Sequence, residues 1–184
     1  WRAQMQEELA ALASSAPGAV ADVGNTIHAV ARLEHLLATD RGITLSVGAV
    51  ERGLAVPLHP SVLRQVIVMA IGQILRQTST ANIALTAGSD RGHIRISLTS
   101  CDRASKESLD VGLLEELVAS IGGSVETTLR PGCCSVSIVL ASAGKTGVLV
   151  VDDNPDLVHY YRRCLTGTRY NLSHHLTGGR QLLE

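Results

Sequence analysis

Apolar and polar residues alternate in five short segments between residues 43 and 140, and such alternation is typical of strands that pack on one face. The segments are 43–49, 83–85, 94–98, 125–129 and 136–140. Turns rich in glycine join two pairs of them, at residues 88–92 and 130–132. Because only one face of each strand is apolar, we expect helices to cover one side of the sheet.

Helical spacing of apolar residues appears in three segments among these strands, 27–41, 60–75 and 113–121. Asn25 or Thr26 is the expected N-cap of the first helix, and Pro60 suits the first position of the second. The second helix is apolar nearly all round, as expected of a helix buried between layers. Helices and strands together predict a two-layer α/β sandwich with a mixed sheet.

The pattern changes after a short linker at residues 142–146. Residues 148–151 form an uninterrupted apolar run, which is typical of a parallel strand buried on both faces. A predicted helix that ends at Leu165 and a weak strand at 171–174 follow this run. A further helix at residues 2–13 precedes the sandwich. The chain therefore divides into residues 1–19 (helix and linker), 20–141 (first domain), 142–146 (linker) and 147–184 (part of a second domain).

Charge and composition exclude several kinds of partner. The 16 Lys and Arg nearly balance the 17 Asp and Glu, so no basic field would draw the protein to nucleic acid or anionic lipid. The longest apolar run, residues 66–75 with Gln73 inside it, is shorter than the ~20 residues that cross a bilayer. We expect a cytoplasmic fragment of a longer protein, with neither nucleic-acid binding nor a membrane span in this segment.

Four cysteines occur in the chain, and two of them are adjacent. Their spacing contains no C-x-x-C and suits neither a disulfide framework nor a zinc site, so we expect all four to be reduced. They lie at Cys101, Cys133, Cys134 and Cys164.

The second unit resembles the start of a response-regulator receiver domain, which has a doubly wound parallel (flavodoxin-like) fold. The resemblance rests on the run VLVVDDNP from residue 148, the helix and strand that follow, and GGRQLLE from residue 178. It implies that Asp152 and Asp153 are the acidic pair that binds Mg²⁺. The phosphate-accepting aspartate would lie on a third strand, beyond Glu184.

Elementary chemistry supports this assignment of the acidic pair. Two carboxylates at the C-terminal edge of a parallel strand lie where open α/β sheets bind ligands, and Mg²⁺ prefers oxygen ligands. The cation would remove the repulsion between the carboxylates and screen an incoming phosphoryl group. The alternative is that Asp152 caps the next helix and Asp153 is a solvated turn residue.

The first domain resembles the ATP-binding (GHKL) domain of sensor histidine kinases. Its second helix opens with LRQV at residue 63, as the family's nucleotide-contacting helix does. The family continues with two asparagines four residues apart, one of them a magnesium ligand, and this chain has Met69 and Gln73 there. A thioether cannot hold Mg²⁺, and the Gln amide lies one methylene further out.

Two glycine motifs of that family are also altered. Where the family has D-x-G-x-G, this chain reads SCDRA from residue 100, so Ser100 and Asp102 occupy degenerate positions. Where the family has G-L-G-L, it reads SLDV from residue 108, which puts Ser108 and Asp110 in the place of glycines. The Asp110 carboxylate would stabilise an empty helix end and repel a triphosphate. Few residues separate these motifs, so there is hardly room for the family's lid.

We therefore expect a segment of a hybrid two-component protein in a phosphorelay. Its pseudo-ATPase domain would bind no ATP and act as an interaction module, without kinase activity, while its receiver takes phosphate from a partner histidine kinase or phosphotransfer protein. Residues 2–13 could be the tail of a helix that forms a homodimer. One alternative is an active histidine kinase in which Gln73 and Asp102 replace the lost ligands. Another is a scaffold whose receiver is silent.

Overall fold

The structure is a computed structural model that describes residues 18–39, 44–76, 82–101, 109–144, 146–152, 154–165 and 170–176, with Gln4, Glu7 and Ala11. Those three residues are helical and exposed. The rest of the helix predicted at residues 2–13, and with it any dimer contact, lies outside the described residues. Within the described part of the chain, every helix is too short or too polar to span a bilayer.

The described residues form nine strands and four helices with assigned bounds. The strands are β1 (Ala21–Asp22), β2 (Thr44–Val50), β3 (Ala55–Val56), β4 (Asn82–Asp90), β5 (His93–Ser100), β6 (Ser124–Arg130), β7 (Cys133–Ala141), β8 (Thr146–Val151) and β9 (Tyr170–Leu176). The helices are α1 (Val23–Thr39), α2 (Pro60–Leu75), α3 (Gly112–Ser120) and α4 (Pro155–Leu165). All five strands predicted from the alternating segments are present, and Pro60 begins α2 as expected.

The main sheet is mixed and has the strand order β2-β4-β5-β7-β6. β2 is parallel to β4, and the other neighbours are antiparallel. In β5 the side chains of Ile94, Ile96 and Leu98 are fully buried, whereas the residues between them are half-buried. The buried face joins residues of α1, α2 and α3 in one apolar core. The predicted two-layer sandwich with helices on one side of the sheet is therefore confirmed.

The start of α1 differs from the prediction. Asp22 caps this helix, because its Oδ1 accepts a hydrogen bond of 2.6 Å from the backbone N–H of Asn25. Its carbonyl accepts another, of 2.7 Å, from the Thr26 hydroxyl. The prediction that Asn25 or Thr26 is the N-cap was therefore wrong. Asp22 also belongs to the two-residue strand β1, which pairs with β3 and is too short to show an alternating pattern.

The second unit consists of β8, α4 and β9, and its two strands are parallel, as the sequence predicted. The prediction that β8 is buried on both faces was wrong. Leu149 and Val151 expose 53% and 48% of their surface, and Val158 is the buried residue of α4. The unit has one helix, so one face of its two strands has no covering layer among the described residues.

The cysteines also depart from the expectation that all four are reduced. A disulfide joins Cys101, directly after β5, to Cys133, the first residue of β7. These residues are neighbours because Ser100 pairs with Cys134 across the two antiparallel strands. The remaining two cysteines are free, with Cys134 buried and Cys164 exposed. A contact of this kind depends on strand register, which cysteine spacing does not reveal.

Candidate functional site

Met69 and Gln73 lie one turn apart on α2 and therefore on the same side of that helix. The helix begins at Pro60, and the His59 side chain caps it by accepting a hydrogen bond of 3.2 Å from the N–H of Ser61. Met69 is half-buried and packs against the apolar core, and Gln73 exposes only 6% of its surface. The amide of Gln73 offers an oxygen ligand, whereas the Met69 thioether offers none.

Ser100 is the last residue of β5 and lies on the buried face of the sheet, in line with Leu98. It exposes 1% of its surface, and its hydroxyl has no hydrogen-bond partner among the described residues. Burying a hydroxyl without a partner costs about 1–3 kcal/mol. Asp102, two residues further on, lies outside the described residues. The sequence predicts a degenerate position at Ser100, but a sequence cannot show that the hydroxyl has no partner among the described residues.

Asp110 lies two residues before α3. Its carboxylate is exposed, and Oδ1 accepts a hydrogen bond of 3.4 Å from the N–H of Gly112, the first residue of the helix. Val111, at the N-cap, provides no side-chain cap. A carboxylate at this end stabilises the helix dipole and engages an N–H group that a phosphate would otherwise use. Ser108 lies outside the described residues.

The elements that carry these residues pack against one another. α2, with Met69 and Gln73, contacts both β5, which ends at Ser100, and α3, which follows Asp110. The buried face of β5 and the buried side of α2 belong to the same core. The described positions that the sequence predicts to be degenerate thus lie in or beside elements on one helix-covered side of the sheet.

The predicted magnesium pair follows the C-terminal end of β8. Asp152 is half-buried, and its Oδ1 accepts a hydrogen bond of 2.8 Å from the N–H of Asn154. Asn154 in turn caps α4, since its Oδ1 accepts from the N–H of Asp156 at 2.9 Å. The alternative in which Asp152 caps this helix was therefore wrong. Asp153 lies outside the described residues, and among those described no group of three or more His, Cys, Asp and Glu could hold a metal ion.

One open cleft of about 410 Å³ was not singled out by sequence reasoning. It lies at the N-terminal end of α1, where the acidic groups already have partners. Asp22 caps the helix, and Glu51 accepts hydrogen bonds from the N–H and hydroxyl of Ser89, both at 2.8 Å to Oε2. The lining residues are Asp22, Gly24, Asn25, His28, Val50, Glu51, Arg52 and Gly53. This cleft is built from other elements than those that carry Met69, Gln73 and Ser100.

No protein-family model matches the chain, and no curated protein matches it either. Solved structures of histidine kinases do resemble it. Full-length ShkA in complex with AMPPNP is 19% identical, with a TM-score of 0.57 over 90% of this chain and 42% of ShkA. A histidine kinase from Burkholderia phymatum STM815 is 14% identical, with a TM-score of 0.60 over 77% of each chain.

Histidine kinase ThkA, solved in complex with the response regulator protein TrrA, is also similar. It is 14% identical, with a TM-score of 0.59 over 68% of this chain and 42% of ThkA. This chain thus spans about two fifths of ShkA and of ThkA. At these identities the likeness concerns the fold alone. The mixed-sheet α/β unit has the fold of histidine kinase ATPase domains.

Proposed function

We propose that this chain is a segment of a two-component phosphorelay protein whose ATPase-like domain binds no nucleotide and serves as an interaction module. The receiver that begins at residue 147 takes phosphate from a partner histidine kinase or phosphotransfer protein in the cytoplasm. The fold shared with histidine kinase catalytic domains supports the signalling context. ThkA was solved together with a response regulator, which supports a partner of the same signalling class.

The single observation that carries the loss of nucleotide binding is the Asp110 carboxylate at the start of α3. It accepts from the N–H of Gly112, at the helix end where the family's backbone approaches the phosphates. A triphosphate at this place would displace the carboxylate and bring negative charges together. Met69 adds to this effect because it replaces an oxygen-bearing side chain with a thioether.

Thermal unfolding of the whole chain with increasing ATP, at a fixed excess of Mg²⁺, tests this loss. A ligand that binds only the folded state stabilises it by mass action, by about 1.4 kcal/mol at ten times its dissociation constant. We expect no shift of the unfolding midpoint up to millimolar ATP. An active histidine kinase ATPase domain, measured in parallel, provides the positive control. A saturable rise in the midpoint would contradict the proposal.

The receiver role rests on the Mg²⁺ site that we assign to Asp152 and Asp153. The Asp152 carboxylate is half-buried at the end of β8, and its Oδ1 accepts from the N–H of Asn154. Carboxylate oxygens at this end of a parallel strand suit Mg²⁺, which would offset their repulsion and screen the charge of an incoming phosphoryl group. The phosphate-accepting aspartate is expected on a third strand of the receiver.

Binding of Mg²⁺ alone can be measured by calorimetry on the chain and on two matched variants. Asp152→Asn should abolish binding, because it removes a charged ligand while keeping the size of the side chain. Asp156→Asn, four residues further on in the first turn of α4, should leave binding unchanged. Equal binding by all three proteins would show that the assigned pair does not hold the cation.

An active histidine kinase is the second candidate, favoured by the buried amide of Gln73, which could supply an oxygen ligand inside the fold. In that case Asp102 would recognise the base. The ATP titration separates the two candidates, since only an active kinase would be stabilised by nucleotide. A scaffold with a silent receiver would show no response to Mg²⁺ or to ATP.

A further inference from the structure

Cys101 and Cys133 meet at one end of the main sheet, on adjacent antiparallel strands. Ser100 and Cys134 are the last register pair of β5 and β7, and Cys101 and Cys133 form the next pair outward. Their Cα atoms are 4.0 Å apart, and a disulfide joins them in the structure. Because successive residues of a strand point to opposite faces, this pair lies on the face away from the helices, opposite to Ser100 and Cys134.

The four cysteines differ in how easily a reagent can reach them. Cys101 is exposed and Cys133 is half-buried, so both residues are more accessible than Cys134. Cys134 exposes only 3% of its surface. Burial raises the pKa of its thiol, and the backbone hydrogen bond with Ser100 offsets only part of that shift. Cys134 is therefore less reactive toward disulfides than Cys133, although the two residues are adjacent in sequence.

We infer that Cys101 and Cys133 are a reversible thiol–disulfide pair, which a small anionic disulfide such as glutathione disulfide oxidises in the folded protein. In a reducing cytoplasm, protein disulfides are mostly transient and redox-sensing. Arg130 pairs with Cys133 across β6 and β7 and places a positive charge in the same row of residues. That charge would favour the approach of an anionic reagent.

The exchange proceeds in two balanced steps. The thiolate of Cys101 attacks one sulfur of the small disulfide, forms a mixed disulfide and releases one small thiolate. The thiolate of Cys133 then attacks the Cys101 sulfur and releases the second. The two cysteines are oxidised, the small disulfide is reduced to two thiols, and the two protons from the cysteines end on those thiols.

Oxidation would tie the end of β5 to the start of β7, immediately beside the buried Ser100. The link closes a segment 32 residues long in sequence and so restricts the unfolded chain. Reduction would leave that sheet end held by backbone pairing and by the packing of Cys134 in the core. The inference rests on the proposed function only for the reducing cytoplasm. It depends otherwise on strand register and not on whether the domain binds nucleotide, so the ATP titration and the redox test can fail separately.

The test equilibrates the whole chain, carrying Cys164→Ser to remove the other exposed thiol, with glutathione buffers of increasing oxidised fraction. Free thiols are alkylated, and tryptic peptides are analysed by mass spectrometry; cleavage after Arg95 and Arg103 isolates the peptide of Cys101. We expect a Cys101–Cys133 crosslink in this protein and in the matched variant Cys134→Ala. The crosslink should be absent from Cys101→Ser and Cys133→Ser. Oxidation should raise the unfolding midpoint only where the crosslink forms.

Three results would overturn the inference. The native protein could stay fully reduced at every buffer ratio, Cys101 could crosslink to Cys134 instead, or the crosslink could form only in urea. If oxidation did not change the unfolding midpoint, the disulfide would not stabilise this end of the sheet, which would contradict the inference. Cys101 is exposed and lies outside β5, so we expect Cys101→Ser to fold. Its loss of the crosslink can therefore be interpreted even if Cys133→Ser folds poorly.

Discussion

The two units of this chain bury their apolar residues to very different extents. The ATPase-like unit has a continuous core in which the sheet residues Ile96, Leu98 and Ile138 are fully buried against three helices. In the β8–α4–β9 unit the apolar residues Leu149 and Val151 of β8 are about half exposed. Yet the sequence of β8 is more continuously apolar than the sequence of β5, in which apolar and polar residues alternate. Apolar character therefore identifies faces that can be buried, but burial itself requires a covering layer.

Truncation of one leucine in each unit is the strongest test of this contrast. Leu98→Ala should lower the free energy of unfolding by about 2–5 kcal/mol, because it opens a cavity in a closed core. Leu149→Ala, the matched change in β8, should cost less than ~0.5 kcal/mol because that side chain is already half exposed. Urea denaturation followed by circular dichroism measures both. Equal losses would mean that β8 is as well covered as β5.

Two glycines test how closely the elements of the first unit pack. A Cβ at Gly123 would lie 2.7 Å from the carbonyl oxygen of Val139 and 2.6 Å from Leu140. Because that carbonyl belongs to the sheet and cannot move aside, Gly123→Ala should destabilise the protein by about 1–3 kcal/mol.

Gly72→Ala is the matched control for that substitution. Gly72 lies inside α2, and nothing lies within 4 Å of an added Cβ. The variant should be more stable by about 0.5–1 kcal/mol, since alanine loses less conformational freedom in a helix than glycine does. If both variants lost stability in urea denaturation, the tight contact at Gly123 would not explain its effect.

A modest effect is expected at Ser100, one of the positions of the candidate site. Ser100→Ala removes a buried hydroxyl that has no partner among the described residues, so it should stabilise the protein by about 1 kcal/mol. Ser97→Ala, on the same strand but the other face, breaks a hydrogen bond of 2.9 Å to Ser137 and should destabilise it by about 0.5 kcal/mol. A clear loss of stability in Ser100→Ala would indicate that its hydroxyl has a partner in solution.

Much of the fold could be predicted because the signals are local. Alternation along β4, β5 and β7 identifies their buried faces, and Pro60 marks the start of α2. The sequence did not predict the cap at Asp22, because the adjoining strands β1 and β3 are two residues long and show no alternating pattern that would mark where α1 begins. The exposure of β8 and the contact of Cys101 with Cys133 depend on which elements lie side by side, and periodicity does not contain that information.

The candidate site was predictable only in part. Positions such as Met69 and Asp110 could be placed because they lie in or beside recognisable helices, and the chemistry of each side chain follows from its type. The hydrogen bond from Gly112 to Asp110 and the unsatisfied hydroxyl of Ser100 are properties of the folded chain. The roles of Asp152 and Asp153 in binding Mg²⁺ stay predictions.

The proposed loss of nucleotide binding is tested most directly by NMR of the backbone amides while ATP and Mg²⁺ are added to the chain. Gly112 begins α3, Ser100 ends β5 and Gln73 lies in α2, so their amides report on the three elements of the candidate site. We predict that none of these signals moves as ATP rises to millimolar concentration at constant Mg²⁺. Saturable shifts of these three signals together would contradict the account.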